Sequence, residues 1–254
     1  MFYPWSRVPG KAVPMPPYAG QGLFHEQVHL RYNAADAVQR RVPGSETRGK
    51  ARAVFELTRQ EAVHMSKVAI GPRTRLYPAP AVLVGANVDG KPNFSTYAWC
   101  GIVASSPPSI SVSFQHKRHT LKGVRQNNTF SVNIPSVDLV KETDYCGLVS
   151  GRDRDKVADC KFTVFYGKLG TAPMIEECPV SLECRVTNTL HLGSHELVVG
   201  QIEEIHATES CLTDGAPDTD KMRPFLWAMP PVNQYCAFGE PIGEAFKIGK
   251  QLQE

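Results

Sequence analysis

From Pro78 onward the chain is cut into short β-type runs by turn signals, and that succession restricts its fold more than any other feature. Residues 81–86 (AVLVGA) form a short apolar run, and the Asp89-Gly90 pair that follows is a hairpin turn signal. Residues 93–99 (NFSTYAW) supply the return strand. Pro107-Pro108 stop any helix, and 109–114 (SISVSF) and 129–134 (TFSVNI) alternate as half-buried strands do. Residues 180–190, 195–208 and 225–229 extend the β-rich pattern. Helix is confined to two stretches. One is capped by Thr120 and runs to Asn127; the other, SVDLVKETDYCG after Pro135, has Val137, Leu139 and Val140 as its apolar positions and Gly147 at its end. Residues 235–249, with Gly239, Gly243 and Gly249, read ambiguously. Many short strands with few helices imply a mainly β (α+β) fold built as a closed or nearly closed antiparallel barrel. No strand leads into a GxGxxG or Walker-type loop, which disfavours a doubly wound dinucleotide fold.

The 254 residues, 42% hydrophobic and 21% charged, suffice to bury a core without a metal or disulfide staple. The formal charge of +3 is too small to argue for nucleic acid, and no apolar run approaches the length of a membrane span. The seven cysteines (Cys100, Cys146, Cys160, Cys178, Cys184, Cys211 and Cys236) are odd in number and contain no CxxC. They read as reduced, structural thiols, and the expected compartment is the cytoplasm.

Residues 1–64 differ in character. They carry +4 against −1 for the remainder, hold six prolines and lack cysteine. The text changes at Met65, where MSKVAIGP reads as an ordinary cytosolic start. The expectation is that 1–64 are an extension or translated leader and that 65–254 are the functional domain. Within the extension, His25-Glu26-Gln27-Val28-His29 fits HExxH. That motif needs a stable helix and a third ligand. Gly20 and Gly22 precede it and no second histidine-rich stretch follows nearby, so it is read as accidental and no metal site is expected.

One region gathers small, polar and aromatic residues between strands: NFSTYAWCGIVASSPP, followed by SFQHKRHTLKGV. In the second part Lys117, Arg118, His119 and Thr120 fall where a helix should begin. Backbone N–H groups, the positive end of the helix dipole, a hydroxyl and several cations there suit a phosphate monoester, although a solvated basic loop has the same composition.

From Tyr77 to Lys250 the order of these parts resembles the flavin reductase-like FMN-binding proteins, and within them the flavoredoxin type. The stretches that carry the likeness are YPAPAVLVGANVDGKPNFSTYAWCGIVASSPPSISVSF, KRHTLKGVRQNNTFSVNIPS, DYCGLVSGRDRDK, LGSHELVVGQI and YCAFGEPIGEAFKIGK. The resemblance implies a split β-barrel of antiparallel Greek-key type that binds one FMN per subunit at the interface of a homodimer. It implies further that Asn93, Ser95, Thr96, Tyr97, Ala98 and Trp99 lie along the flavin ring, with Ser105, Ser106 and Pro107 in the next turn. Lys117, Arg118, His119 and Thr120 take the phosphate, and Asn133 is a flavin hydrogen-bonding partner or a turn-satisfying residue. Ser150, Gly151 and Lys156 match a loop near the cofactor and dimer interface, where Arg152 and Arg154 are equally read as solvated. His195 matches a histidine near the reactive face of the flavin and is the catalytic candidate. Relatives carry Glu after the glycine of that strand, whereas this chain has Gly200-Gln201.

The activity implied is that of an FMN oxidoreductase moving hydride or electrons to a small-molecule or protein partner. No residue specifies NADH or NADPH as donor. The alternatives are a flavoredoxin-like electron carrier and a flavin-binding module without turnover.

Overall fold

The computed structural model describes residues 67–253. The expectations for residues 1–64, the HExxH stretch among them, lie outside the described residues. The chain runs through β1 (Ala79–Pro80), β2 (Val82–Val88), β3 (Lys91–Tyr97), β4 (Cys100–Ser105), β5 (Pro108–Gln115), α1 (His119–Asn127) and β6 (Thr129–Ile134). It continues through a 3₁₀ turn (Val137–Leu139), α2 (Val140–Leu148), α3 (Lys156–Cys160), β7 (Val164–Phe165), β8 (Met174–Ile175), β9 (Val180–Leu192) and β10 (His195–Ala207). It closes with β11 (Leu212–Thr213), β12 (Ala216–Pro217), α4 (Thr219–Met222), β13 (Phe225–Ala228) and β14 (Gln234–Ala237).

Seven strands form one antiparallel sheet in the order β3-β2-β6-β9-β10-β5-β4, and β1-β13-β14 make a second, smaller sheet. The large sheet curls around the barrel core. Tyr97 and Phe114 stand on β3 and β5, near opposite ends of the strand order, yet their rings meet at 4.7 Å across the interior. The barrel thus closes through side chains, Leu121 and Val124 of α1 packing into the same core. This is the mainly β, split-barrel architecture expected from the succession of strands.

β2 explains why its sequence runs apolar instead of alternating. Val82, Val84 and Ala86 enter the barrel core, while Leu83 on the opposite face joins Phe94, Cys146, Phe162, Ile175 and Cys178 in a second core roofed by α2 and α3. A strand covered on both faces has no solvated face to encode. The Asp89-Gly90 turn closes the β2–β3 hairpin with both residues at positive φ, 51° and 80°.

The helices differ in detail from expectation. Arg118, not Thr120, occupies the N-cap of α1, and Thr120 is buried inside the first turn. Ser136 caps the 3₁₀ turn by accepting from Asp138 N at 3.3 Å. α2 then passes through Gly147 to Leu148 and buries Thr143 and Cys146 in place of the predicted Val137, Leu139 and Val140. The ambiguous C-terminal stretch becomes β14 and, beyond it, an exposed segment ending in a 3₁₀ turn. Among the described residues no helix is long and apolar enough to cross a membrane.

Candidate functional site

β5 presents two faces because its side chains alternate. Ile110, Val112 and Phe114 fill the barrel core, whereas Ser113 and Gln115 line a cleft on the other side. The cleft encloses about 360 Å³ and is walled by Thr96, Tyr97, Ala98 and Trp99 where β3 ends, by Gly147 of α2, by His195 at the start of β10, and by Trp227 and Tyr235 of the small sheet. This size and a mixed wall of aromatic and polar side chains suit a flat, medium-sized ligand.

The wall is fixed by the strand register. His195 pairs opposite Gln115, and Ser113 N donates to the carbonyl of Trp99 at 2.9 Å. The indole of Trp99 and the imidazole of His195 then lie 4.7 Å apart and only 34° from parallel. Ser194 Oγ sits 2.7 Å from His195 Nδ1. Burial, and after it the neighbouring His116, hold the His195 pKa below the ordinary histidine value, so the ring is neutral at pH 7.

Beyond Gln115 the chain turns sharply, with Arg118 N donating to Gln115 O at 3.0 Å, and enters α1. There a second pocket is lined by His116, Lys117, Arg118, His119, Lys122, Arg125, Gln126 and Arg152. Two of these cations are compensated: Lys122 pairs with Asp89 at 2.6 Å, and Arg125 grips Glu196 through both ends of its guanidinium. Lys117, Arg118 and Arg152 have no carboxylate partner among the described residues. The first turn of α1 holds no acidic residue, and its N-cap residue Arg118 makes no capping hydrogen bond, its guanidinium donating to Gly147 O at 2.9 Å instead. Burial, then the charges of Arg152 and Lys122, lower the His119 pKa. Uncompensated cations around an open helix N-terminus form an anion pocket. Arg118 lines both pockets, so the cleft and the anion pocket are neighbours.

The predicted residues divide between lining and framework. Thr96, Tyr97, Ala98, Trp99 and His195 line the cleft, and Lys117, Arg118 and His119 line the anion pocket. Asn93 and Ser95 are buried beneath it: Asn93 Nδ2 donates to Thr120 Oγ1 at 2.8 Å, and Ser95 Oγ donates to Cys146 O at 3.4 Å. Thr120 is therefore committed to the framework and not aimed into the pocket. Asn133 is fully buried and fully used, donating to Leu83 O and Ser131 Oγ and accepting from Ile175 N and Ser181 Oγ. Lys156 is buried too, its ammonium donating to Phe94 O at 2.9 Å and Cys146 O at 2.8 Å. Ser105 is exposed at the β4–β5 turn, away from the cleft, and Ser150 Oγ accepts from Arg152 N at 3.2 Å.

Loop 150–154 reaches the pocket because Gly151 has no side chain. A Cβ there would collide with Asn93 Oδ1 and touch the His119 ring. This close approach lets Arg152 donate to Lys117 O at 2.6 Å and join the cations, while Arg154 turns away to Asp159 at 2.8 Å. Sequence reasoning left both arginines as equally solvated. It also missed Trp227, Tyr235 and Arg75, which reach the cleft from distant parts of the chain and carry no local signal.

Residues 74–227 match the family model described as the flavin reductase like domain. Among solved structures, flavoredoxin from Methanosarcina acetivorans is 43% identical with a TM-score of 0.71, over 74% of this chain and 100% of that one. Flavoredoxin of Desulfovibrio vulgaris (Miyazaki F) is 36% identical with a TM-score of 0.68, over 73% of this chain and 100% of that one. A more distant relative, the FMN reductase (NADH) of Escherichia coli, is 25% identical over 119 residues, covering 46% of this chain and 68% of its own.

Proposed function

We propose that this chain, which belongs to the flavin reductase-like family, is an FMN oxidoreductase that takes up FMN with its ring in the Trp99–His195 cleft and its phosphate at the start of α1. The observation that carries this reading is the junction at Arg118. A cleft walled by Trp99, His195, Trp227 and Tyr235 and a pocket of uncompensated cations share Arg118 as a wall, and a flat ring tethered to one phosphate needs both halves. Bound FMN supplies the electron chemistry, accepting a hydride or electrons and passing them on. The chain's own residues bind, orient and exclude water. Lys117, Arg118 and Arg152 neutralise the phosphate, and first-turn N–H groups of α1 donate to it. Trp99 flanks the ring, and His195 holds a neutral imidazole at the cleft wall, able to move a proton at its Nε2.

The likeness to two flavoredoxins favours a second reading, a carrier reduced by a protein donor instead of by nucleotide. Anaerobic mixing separates the two. If the FMN-loaded protein bleaches within a turnover time on addition of NADH or NADPH, it is a reductase. A flavin that stays oxidised with nucleotide overturns that activity and leaves the carrier. A purified chain that holds neither FMN nor added FMN overturns both.

A homodimer accompanies this reading. Ile102 and Val103 on edge strand β4, Leu190 and Leu192 at the β9–β10 tip, and Ile242, Phe246 and Leu252 in the C-terminal segment are all large, apolar and exposed. A second copy covering them accounts for an exposure that a solitary subunit does not favour. Sedimentation equilibrium of the full chain checks it, and a monomer at micromolar concentration removes the dimer from the proposal.

A further inference from the structure

Two thiols outside the cleft lie in contact. Cys146 Sγ on α2 and Cys160 Sγ at the end of α3 are 3.9 Å apart, the only sulfur–sulfur contact among the described residues. A disulfide bond is about 2 Å long, so closure needs the two sulfurs to approach by about 2 Å. The two sulfurs differ in access. Cys146 is fully buried in the second core, whereas Cys160 is partly exposed and borders an open cleft with Lys141, Glu142, Tyr145, Arg154 and Asp159. The buried ammonium of Lys156, one helical turn before Cys160, donates to the carbonyl of Cys146 at 2.8 Å and so ties the two helices together at this point. Cys178 shares the second core with them.

We propose that Cys146 and Cys160 form a redox-active dithiol, in which a hydroperoxide oxidises Cys160 and Cys146 then closes an intramolecular disulfide. In the first step the Cys160 sulfur attacks one peroxide oxygen. The O–O bond breaks, Cys160 becomes a sulfenic acid, and with hydrogen peroxide one water is released. In the second step the Cys146 sulfur attacks the Cys160 sulfur. The S–S bond forms, the S–O bond breaks, and the hydroxyl leaves with the Cys146 proton as a second water. Two thiols lose two electrons and one peroxide gains them. Proximity drives the closing step, because the resolving sulfur is already in contact. Burial raises the pKa of both thiols while Lys156 opposes it, so the first step is slow and suited to oxidative exposure, not to turnover. The inference is independent of the flavin reading.

The test uses the full chain, reduced, desalted and exposed to hydrogen peroxide, then quenched in acid, unfolded in denaturant and blocked with N-ethylmaleimide at neutral pH. Trypsin places Cys146 and Cys160 in separate peptides, residues 142–152 and 157–161. The expected result is a linked pair of these two peptides, lost on reduction, together with loss of maleimide label from both. Cys160→Ser, at a partly exposed position, should abolish the link and leave Cys146 fully labelled. Cys146→Ser should leave Cys160 to pass on to the sulfinic acid. Full labelling of both cysteines at a peroxide dose that oxidises exposed Cys236 would overturn the proposal, as would a link from Cys160 to Cys178 or to another chain.

Discussion

Asn93 and Thr120, two residues expected to touch the cofactor, hydrogen-bond to each other at 2.8 Å and are both buried. The bond joins β3 to the first turn of α1 and so sets where the helix N-terminus points. Thr120→Val keeps the shape, removes the acceptor and leaves the Asn93 amide short of a partner. The expected cost is about 1–3 kcal/mol of stability. FMN and riboflavin should weaken together, because the hydroxyl does not reach the phosphate. Urea unfolding with parallel titrations of the two ligands checks this, and a loss confined to FMN would return Thr120 to the phosphate.

The uncompensated cations should behave in the opposite way. Lys117→Ala and Arg152→Ala remove charges that no carboxylate balances among the described residues. Each should weaken FMN by about tenfold to a hundredfold, the worth of one charge-assisted contact, while riboflavin affinity stays unchanged. The difference should shrink as salt rises, since these side chains are exposed. Equal losses for both ligands would mean that the cluster supports the ring or the loop. Lys122→Ala is the internal control: its charge is already spent on Asp89, and its effect on FMN should be smaller.

The strands were legible because their chemistry is local. Alternation marks β5 and β6, and Asp89-Gly90 marks the hairpin, wherever the rest of the chain lies. The site was legible as a region but not residue by residue. On β3 the sequence NFSTYAW does not say which side chains face a ligand. The structure sinks Asn93 and Ser95 beneath α1 and leaves Thr96, Ala98 and Trp99 at the cleft. Asn133, polar inside an alternating strand, looks like a ligand-binding group until its four partners are seen. Arg152 and Arg154 stand two residues apart in one loop, and only the collision a Cβ at position 151 would cause explains why one of them reaches the anion pocket. Trp227 and Tyr235 arrive through pairing within the second sheet, which periodicity within one strand does not encode.

Lys156 gives a prediction in pH. Burial, reinforced by the Arg118 charge and opposed by the Cys146 and Cys160 thiols, brings its pKa from 10.5 down to about 8. Between those two values the unfolded chain binds more protons at this residue than the folded one, so this contribution makes stability rise with pH. Below pH 8 the folded state carries the full cost of a buried cation, about 3.5 kcal/mol at most on the scale of 1.4 kcal/mol per pKa unit. Lys156→Met removes the titration and leaves Phe94 O and Cys146 O without their donor. The stability difference between native chain and variant should therefore change in favour of the native chain as pH rises from 8 to 10.5. Denaturant unfolding across that range measures it, and a constant difference would mean that Lys156 keeps an ordinary pKa.

His195→Asn should leave the fold and FMN affinity close to native, because the side chain bonds only to its neighbour Ser194 and stacks on Trp99 at the cleft wall. If the imidazole moves a proton during flavin reduction or reoxidation, single-turnover rates should fall about 10²- to 10⁴-fold. The sign of the pH effect follows from its environment. Burial and His116 hold the folded pKa below 6.5, so at pH 7 the ring is neutral and serves as an acceptor. A step needing a base should therefore keep its full rate at neutral pH and fall only in acid, below the ordinary histidine range, whereas a step needing an acid should accelerate there. The asparagine variant should lose either dependence. Stopped-flow traces of FMN-loaded native chain and variant between pH 5 and pH 8 read both rates directly. Identical rates with FMN still bound would remove His195 from the chemistry, and joint loss of FMN and melting temperature would make it a packing residue beneath Trp99.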